Sequence, residues 1–217
     1  MERIEVRVET VDWTMGQHGC FSVTVCEGRR AVVDWGDGHR EEVVGRGVPR
    51  HFRHCYGARL PIRQYVVAIM SPDDGAIAEY GHGFMDMHTH SVDVSGCPGL
   101  RVLHVAGTDS LSLGRRSGIE RLTVENVDDG LDVSGCARLR ELAISGPVRV
   151  LDIRRCNELR VLDCSFGYVR SILWSSASPL QRVVADWRLP ACLHPKALER
   201  LRRLLQRNGG GLEDGRP

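Results

Sequence analysis

The stretch Leu131-Asp132-Val133-Ser134-Gly135-Cys136, followed by Leu139, Leu142 and Ile144, decides the fold because it returns along the chain. Upstream, Val92-Asp93-Val94-Ser95-Gly96-Cys97 leads to Leu100, Leu103 and Val105, and Leu111-Ser112-Leu113 leads to Ile119, Leu122 and Val124. Downstream, Leu151-Asp152-Ile153-Arg154-Arg155-Cys156 leads to Leu159, Leu162 and Cys164, and Ile172-Leu173-Trp174 leads to Leu180, Val183 and Ala185. The starts lie 19, 20, 20 and 21 residues apart, with apolar residues at the first, third, ninth, twelfth and fourteenth places of all five copies. One copy cannot bury five apolar side chains alone, whereas stacked copies bury them against each other as a continuous core. The two L-x-L pieces of each copy alternate as strands do, so each copy reads as one turn of a coil with two strand-like edges. A helix of ordinary length does not fit beside two such edges within about 20 residues.

Over residues 92–190 these L-D-V-S-G-C-x-x-L-x-x-L copies resemble the leucine-rich-repeat surface proteins of anaerobic gut bacteria. The resemblance implies a short leucine-rich-repeat solenoid of about five turns and says little about a ligand. Cysteine recurs at the sixth place as Cys97, Cys136 and Cys156, and Arg116 and Ala177 stand there in the other copies. The plain reading is a buried ladder position. The sharper one is a metal site built from Cys136 and Cys156 on adjacent turns.

An open solenoid exposes core at its ends and needs caps. Ala197, Leu198, Leu201, Leu204 and Leu205 form one helical stripe, with Pro195 suited to a first helical position and Asn208-Gly209 to the stop. The sequence therefore predicts a capping helix within 191–208 and a flexible tail over 209–217. Lys196, Arg200, Arg202, Arg203 and Arg207 give that helix a basic outer face, either solvated or open to an acidic partner.

Residues 1–71 read differently. Ile4–Val8 and Phe21–Val25 alternate, Ala31–Val33 runs into the turn cluster Asp34-Trp35-Gly36-Asp37-Gly38, and Gln64–Ile69 closes the set. Short strands at this spacing suggest an immunoglobulin-like β-sandwich. The string VDWGDG, then His54-Cys55-Tyr56, then Tyr65-Val66-Val67-Ala68-Ile69, resembles the PKD domain. That resemblance implies a spacer or adhesion module, places Trp35–Gly38 on a turn after a core strand and makes Tyr56 a buried tyrosine. Asp34 and Asp37 read as turn caps, with calcium binding the weaker alternative because few carboxylates accompany them. Residues 72–91 are then a junction. Within it His88 and His90 alternate as strand neighbours, and with Asp86 they are the best metal-ligand candidates in the sequence.

Composition limits the function. Hydrophobic residues make up 42%, charged residues 26% and aromatics 6% of 217 residues, a globular balance that argues against a core built on large rings. A formal net charge of +1 gives no general pull toward nucleic acid or an anionic membrane. There is no apolar run of transmembrane length. The start, MERIEVRVET, lacks the apolar stretch of a signal peptide, so the cytoplasm is the default, with the cell surface or secretion if an export signal was trimmed. None of the eight cysteines forms a C-x-x-C pair, and they read as free, buried thiols. No phosphate loop, nucleophile elbow or H-E-x-x-H occurs, and no cofactor is implied.

The candidate ligand surface is the outward strip of the second edge: Arg101, His104, Thr123, Arg140, Arg160 and Asp163. Stacked positions alone can form a surface larger than one repeat provides. Asp93, Asp132 and Asp152 on the first edge either cap the following turn or form a polar strip. The expectation is therefore non-catalytic recognition of a protein or, second, a glycan. A structural spacer in a larger cell-surface assembly is one alternative, and a metal-dependent hydrolase using Asp86, His88 and His90 is another.

Overall fold

The computed structural model describes residues 1–11, 18–56, 62–83, 87–127, 130–185, 193 and 195–214. Among them are fourteen strands and one helix: β1 (Glu2–Glu9), β2 (His18–Val25), β3 (Arg30–Asp34), β4 (Arg40–Val44), β5 (Pro49–Cys55), β6 (Gln64–Ser71), β7 (Ile77–His82), β8 (His88–Gly96), β9 (Val102–Ser112), β10 (Arg121–Val127), β11 (Glu141–Asp152), β12 (Val161–Leu173), β13 (Arg182–Ala185), α1 (Pro195–Arg207) and β14 (Gly211–Asp214). The fold is mainly β.

The repeat register sets the solenoid. Tyr80, Leu103, Leu122, Leu142, Leu162, Val183 and Leu212 pair one after another across parallel strands β7, β9, β10, β11, β12, β13 and β14. All five ninth-place residues (Leu100, Ile119, Leu139, Leu159 and Leu180) are fully buried. The twelfth and fourteenth places are buried in every copy. Leu111, Leu131 and Trp174 are half-buried, so the core thins along the first edge. Cys97, Cys136 and Cys156 are buried between turns. In the three cysteine copies the sixth-place amide donates to the third-place carbonyl, as Cys136 N does to Val133 O at 3.0 Å, and the sixth-place carbonyl accepts the ninth-place amide, as from Leu139 at 3.1 Å. In the other two the ninth-place amides of Ile119 and Leu180 donate to the Ser117 and Ser178 hydroxyls. A small apolar residue fits this inward-turning corner, which is why cysteine recurs there.

The two edges of a copy are not separate strands throughout. In β9, β11 and β12 the second edge of one copy runs straight into the first edge of the next. Leu131–Val133 carries no strand, so the first-edge ladder is interrupted there. The second-edge ladder is continuous, and it is the spine of the coil.

The N-terminal strands form two arms. One runs β4-β3-β6-β1-β8 and the other β5-β2-β7, and both join the solenoid through β9. The first half of β9 pairs with β7 and the second half with β8. Hydrogen bonding therefore links all fourteen strands into a single sheet, where the sequence suggested a separate sandwich. Across the arms, the Phe21 ring lies 5.1 Å from Trp35, and on its own arm it lies 5.4 Å from Phe52 and 5.8 Å from Tyr80. Large rings thus do build this part of the core, against the expectation drawn from their low overall abundance. Residues 72–91 contain β7 and the start of β8, so this stretch is woven into both regions.

At the far end α1 buries Leu201, Leu204 and Leu205, as the leucine stripe predicts. Asn208 Nδ2 donates to Ser178 O at 3.0 Å and Leu180 O at 2.7 Å, fastening the end of the helix to the last described coil. Gly209 takes a φ of 75°, reversing the chain, and Gly210 has no room for a side chain against Gln181 O. Gly211–Asp214 then adds to β13 as a parallel strand. In sequence Gly211–Asp214 belongs to the expected tail, because one leucine among three polar or flexible residues carries no periodic signal.

Candidate functional site

The second-edge strip is assembled as its register implies. Gly81, His104, Thr123, Ala143, Asp163, Val184 and Glu213 form one outward row. Three residues before the members of that row, just ahead of each strand, lies another row, in which the Glu120 amide donates to Arg101 O, Arg140 to Glu120 O, Arg160 to Arg140 O and Gln181 to Arg160 O, at 2.8–2.9 Å. Glu120 therefore stands between Arg101 and Arg140, which reading the three arginines alone misses. Arg140 donates to Glu158 at 3.0 Å and lies 3.5 Å from Glu120, and these carboxylates raise its already high pKa. His104 Nε2 lies 3.1 Å from Glu125 Oε1. Asp163 accepts from the Ser165 amide at 2.9 Å and the Ser165 hydroxyl at 2.6 Å. Thr123 is half-buried, and Arg101 and Arg160 have no side-chain partner among the described residues. Arg140, Glu141, Arg160, Val161 and Gln181 border a shallow depression of about 370 Å³.

The first-edge acids cap turns. Asp93, Asp132 and Asp152 accept the amides of Ser95, Ser134 and Arg154 at 2.8, 2.9 and 3.1 Å. The amide and hydroxyl of Ser134 hold the Asp132 carboxyl below its usual range, and the Arg154 side chain does the same for Asp152, to about 2. The like charges of neighbouring turns are thereby offset. Asp34 and Asp37 are also occupied: Asp34 accepts from Gly36 N and Arg40, and Asp37 accepts from His39 N and faces His54 Nε2 at 2.7 Å. All four oxygens are engaged by protein, which makes the W-G-D-G segment a self-contained turn. Trp35 is fully buried, and its carbonyl accepts from the hydroxyl of Tyr56, which is half-buried.

A larger groove, of about 800 Å³, opens between α1 and the last first-edge segment. Ile172, Leu173, Trp174, Ala197 and Leu204 supply its apolar lining, and Arg154, Lys196, Arg200, Arg203 and Arg207 its cations, of which Arg154 pairs with Asp152, Arg203 with Glu199 and Arg207 with the Ser176 carbonyl. No acidic side chain lines it among the described residues. The helix stripe and the basic face are both legible in sequence, but their convergence with Trp174 is not.

At the junction, His88 and His90 do face one point. Thr89 between them is buried, so both imidazoles stand on the opposite side of β8. Asp86 lies outside the described residues. The carboxylate that meets them is Asp109 of β9, with Oδ2 2.9 Å from His88 Nε2 and 3.1 Å from His90 Nδ1. His90 Nε2 lies 3.3 Å from Glu9 Oε2, which also accepts from Gln64 Nε2 at 2.7 Å. Burial raises the Asp109 carboxyl, but hydrogen bonds from His88 and His90 outweigh it and hold the group below its usual range. Gln64 and then His90 do the same for Glu9. A sequence signal for Asp109 existed: it stands two places before Leu111, as His90 stands two places before Val92, so the repeat register stacks them. Cys136 and Cys156 gain no such company, since His88, His90 and Asp109 are the only cluster of three potential metal ligands among the described residues.

No protein-family model matches the chain, and no curated protein or solved structure matches it either. No helix among the described residues is long and apolar enough to cross a membrane.

Proposed function

We propose that this protein is a non-catalytic recognition module that binds an acidic segment of a protein partner along its solenoid. The observation that carries the reading is the groove under α1, where five cationic side chains accompany an apolar lining. Apolar area supplies affinity, and surrounding cations supply orientation and a faster encounter with an acidic partner. The second-edge strip supports binding less well, because Glu120 and Glu158 flank Arg140 and Glu125 faces His104, whereas no acidic side chain lines the groove among the described residues, even though Arg154 and Arg203 there pair with Asp152 and Glu199. Arg101, Thr123 and Arg160 remain available there as a secondary contact. In this reading the coil is a leucine-rich-repeat solenoid, and the two N-terminal arms that meet through Phe21 and Trp35 are the layers of a PKD-like sandwich. The strand positions and the W-G-D-G turn support that relation.

The test titrates a leucine-containing, Asp/Glu-rich peptide against the full chain at low and physiological salt. Lys196→Glu with Arg200→Glu should abolish binding and leave the melting temperature nearly unchanged, because both side chains are exposed and an acid at position 196 suits the first helical turn. Arg140→Glu with Arg160→Glu should weaken binding only slightly. Undiminished binding by the Lys196/Arg200 double variant would remove the groove as the site. Absence of peptide binding, together with glycan-array binding that Trp174→Ala abolishes, would replace the protein partner by a glycan. A second reading, a structural spacer, is favoured by the single hydrogen-bonded sheet joining both regions.

A further inference from the structure

We propose that the seam between the N-terminal strands and the first coil is a binding site for a divalent transition metal of the zinc class. Its ligands are His88 Nε2, His90 Nδ1 and an Asp109 carboxylate oxygen, with Glu9 orienting His90 from behind.

The first argument is geometric. The three ligand atoms lie within 4.8 Å of one another, and the two His–Asp109 separations are 2.9 and 3.1 Å. Tetrahedral nitrogen and oxygen ligands bound at about 2.0–2.1 Å stand about 3.3 Å apart, so a few tenths of an ångström of opening admits the ion. The His88 and His90 rings are nearly perpendicular, at 83°, so their nitrogens approach the shared carboxylate from different directions. All three side chains sit on adjacent strands β8 and β9, and rigid elements hold ligands better than loops do.

The second argument counts protons. His90 faces a carboxylate oxygen at each ring nitrogen, Asp109 at Nδ1 and Glu9 at Nε2. A neutral imidazole has one N–H, so it can satisfy only one of them. In the neutral ring with its proton on Nε2 and donated to Glu9, the Nδ1 lone pair points at an anionic oxygen, and either a second proton on Nδ1 or a metal cation between them relieves the conflict. A metal ion bound by Nδ1 and Asp109 removes that conflict. The resulting carboxylate–histidine–metal chain is the arrangement that fixes ligand tautomers in metal sites, and Gln64 in turn holds Glu9. Imidazole with a single carboxylate suits zinc, cobalt, nickel or copper rather than magnesium or calcium. Side chains between about a third and a half exposed leave a coordination position open to water.

The experiment uses the untagged full chain and Co²⁺ as a spectroscopic probe, followed by competition with Zn²⁺. One Co²⁺ per chain is expected, with d–d absorption of a nitrogen–oxygen site, released by Zn²⁺. His88→Gln and Asp109→Asn should each abolish that signal. Glu9→Gln should keep the stoichiometry and weaken affinity by roughly 10–100-fold, the loss typical of an orienting partner. Circular dichroism of each variant separates a lost site from a lost fold, and His88, at a half-exposed position, serves if Asp109→Asn does not fold. No binding below about 100 μM, binding unchanged in His88→Gln, or a thiolate-to-cobalt charge-transfer band that places the ion on cysteine would each overturn the proposal.

Discussion

The two halves of this molecule reach the same end, a dry β core, by different routes. In the solenoid, residues about one repeat apart stack on each other, as Leu122, Leu142 and Leu162 do. Aliphatic side chains of nearly constant size suffice because each turn meets a copy of itself. In the N-terminal region Glu2 pairs with Ser71 and Glu9 with Gln64, so strands distant in sequence must find each other. There Phe21, Trp35, Phe52 and Tyr80 fill a space that no repetition regularises. Local, repeated contacts and distant, ring-filled ones nevertheless share one strand, β9. The comparison teaches that two architectures can be joined by hydrogen bonds as closely as the strands within either.

The strongest way to break that view is to damage each core separately. Trp35→Ala should cost about 3–5 kcal/mol and Leu142→Ala about 2–5 kcal/mol, as large-to-small core substitutions do. Because β9 belongs to both regions, each variant should shift one common urea transition, followed by tryptophan fluorescence and far-ultraviolet circular dichroism. Two separated transitions, with only one moved by each substitution, would show that the regions unfold independently.

The seam should also be visible in the pH dependence of stability. His82 is buried with its Nδ1 3.1 Å from the Tyr80 hydroxyl, and burial, aided by the nearby His104, pushes its pKa down from 6.5 to about 4. The unfolded chain therefore takes up a proton that the folded chain refuses as the pH falls through 6.5 toward 4. Stability from this group is complete near pH 7 and declines over that window, by at most roughly 3 kcal/mol. His82→Gln should flatten that part of the curve; an unaltered slope would assign it to other groups.

A smaller effect should come from Glu2, whose carboxylate is buried and accepts the amides of Ile77 at 2.9 Å and Gly99 at 3.3 Å. It ties the first strand to β7 and to the first turn of the coil. Glu2→Ala leaves both amides without that acceptor and should cost about 1–3 kcal/mol in the urea midpoint. A change below the error of the measurement would mean that water replaces the carboxylate.

The least energetic test concerns thiols. The seven described cysteines are all free, with Cys20 and Cys55 exposed and Cys97, Cys136, Cys156 and Cys164 buried. Burial pushes the Cys156 and Cys164 thiols up to about 12 and also raises Cys97 and Cys136. In the native protein Cys20 and Cys55 should react rapidly with a thiol reagent while the four coil cysteines stay protected, as mass spectrometry of labelled peptides can read. Labelling of Cys136 as fast as Cys20 would contradict the close stacking of turns.

The sequence by itself determined the coil: its register, its buried leucines and cysteines, and the helix beginning at Pro195. It could do so because each of those features rests on contacts about one repeat or one helical turn away, which leave a period in the chain. The turn-capping acids were legible for the same reason, since Asp132 reaches only to Ser134. Strands β4, β5, β7 and β14 were not legible: β4 and β5 bury one residue each and so carry little apolar alternation, and β5, β7 and β14 owe their place to partners more than 20 residues away. The repeat register already stacks Asp109 on His90 and Glu120 beside Arg140, but only the tertiary structure brought Glu9 to His90 and closed α1 over Trp174. These groups meet through strand pairing and helix docking, and the free energy of such contacts depends on distances in space that no spacing in the sequence records.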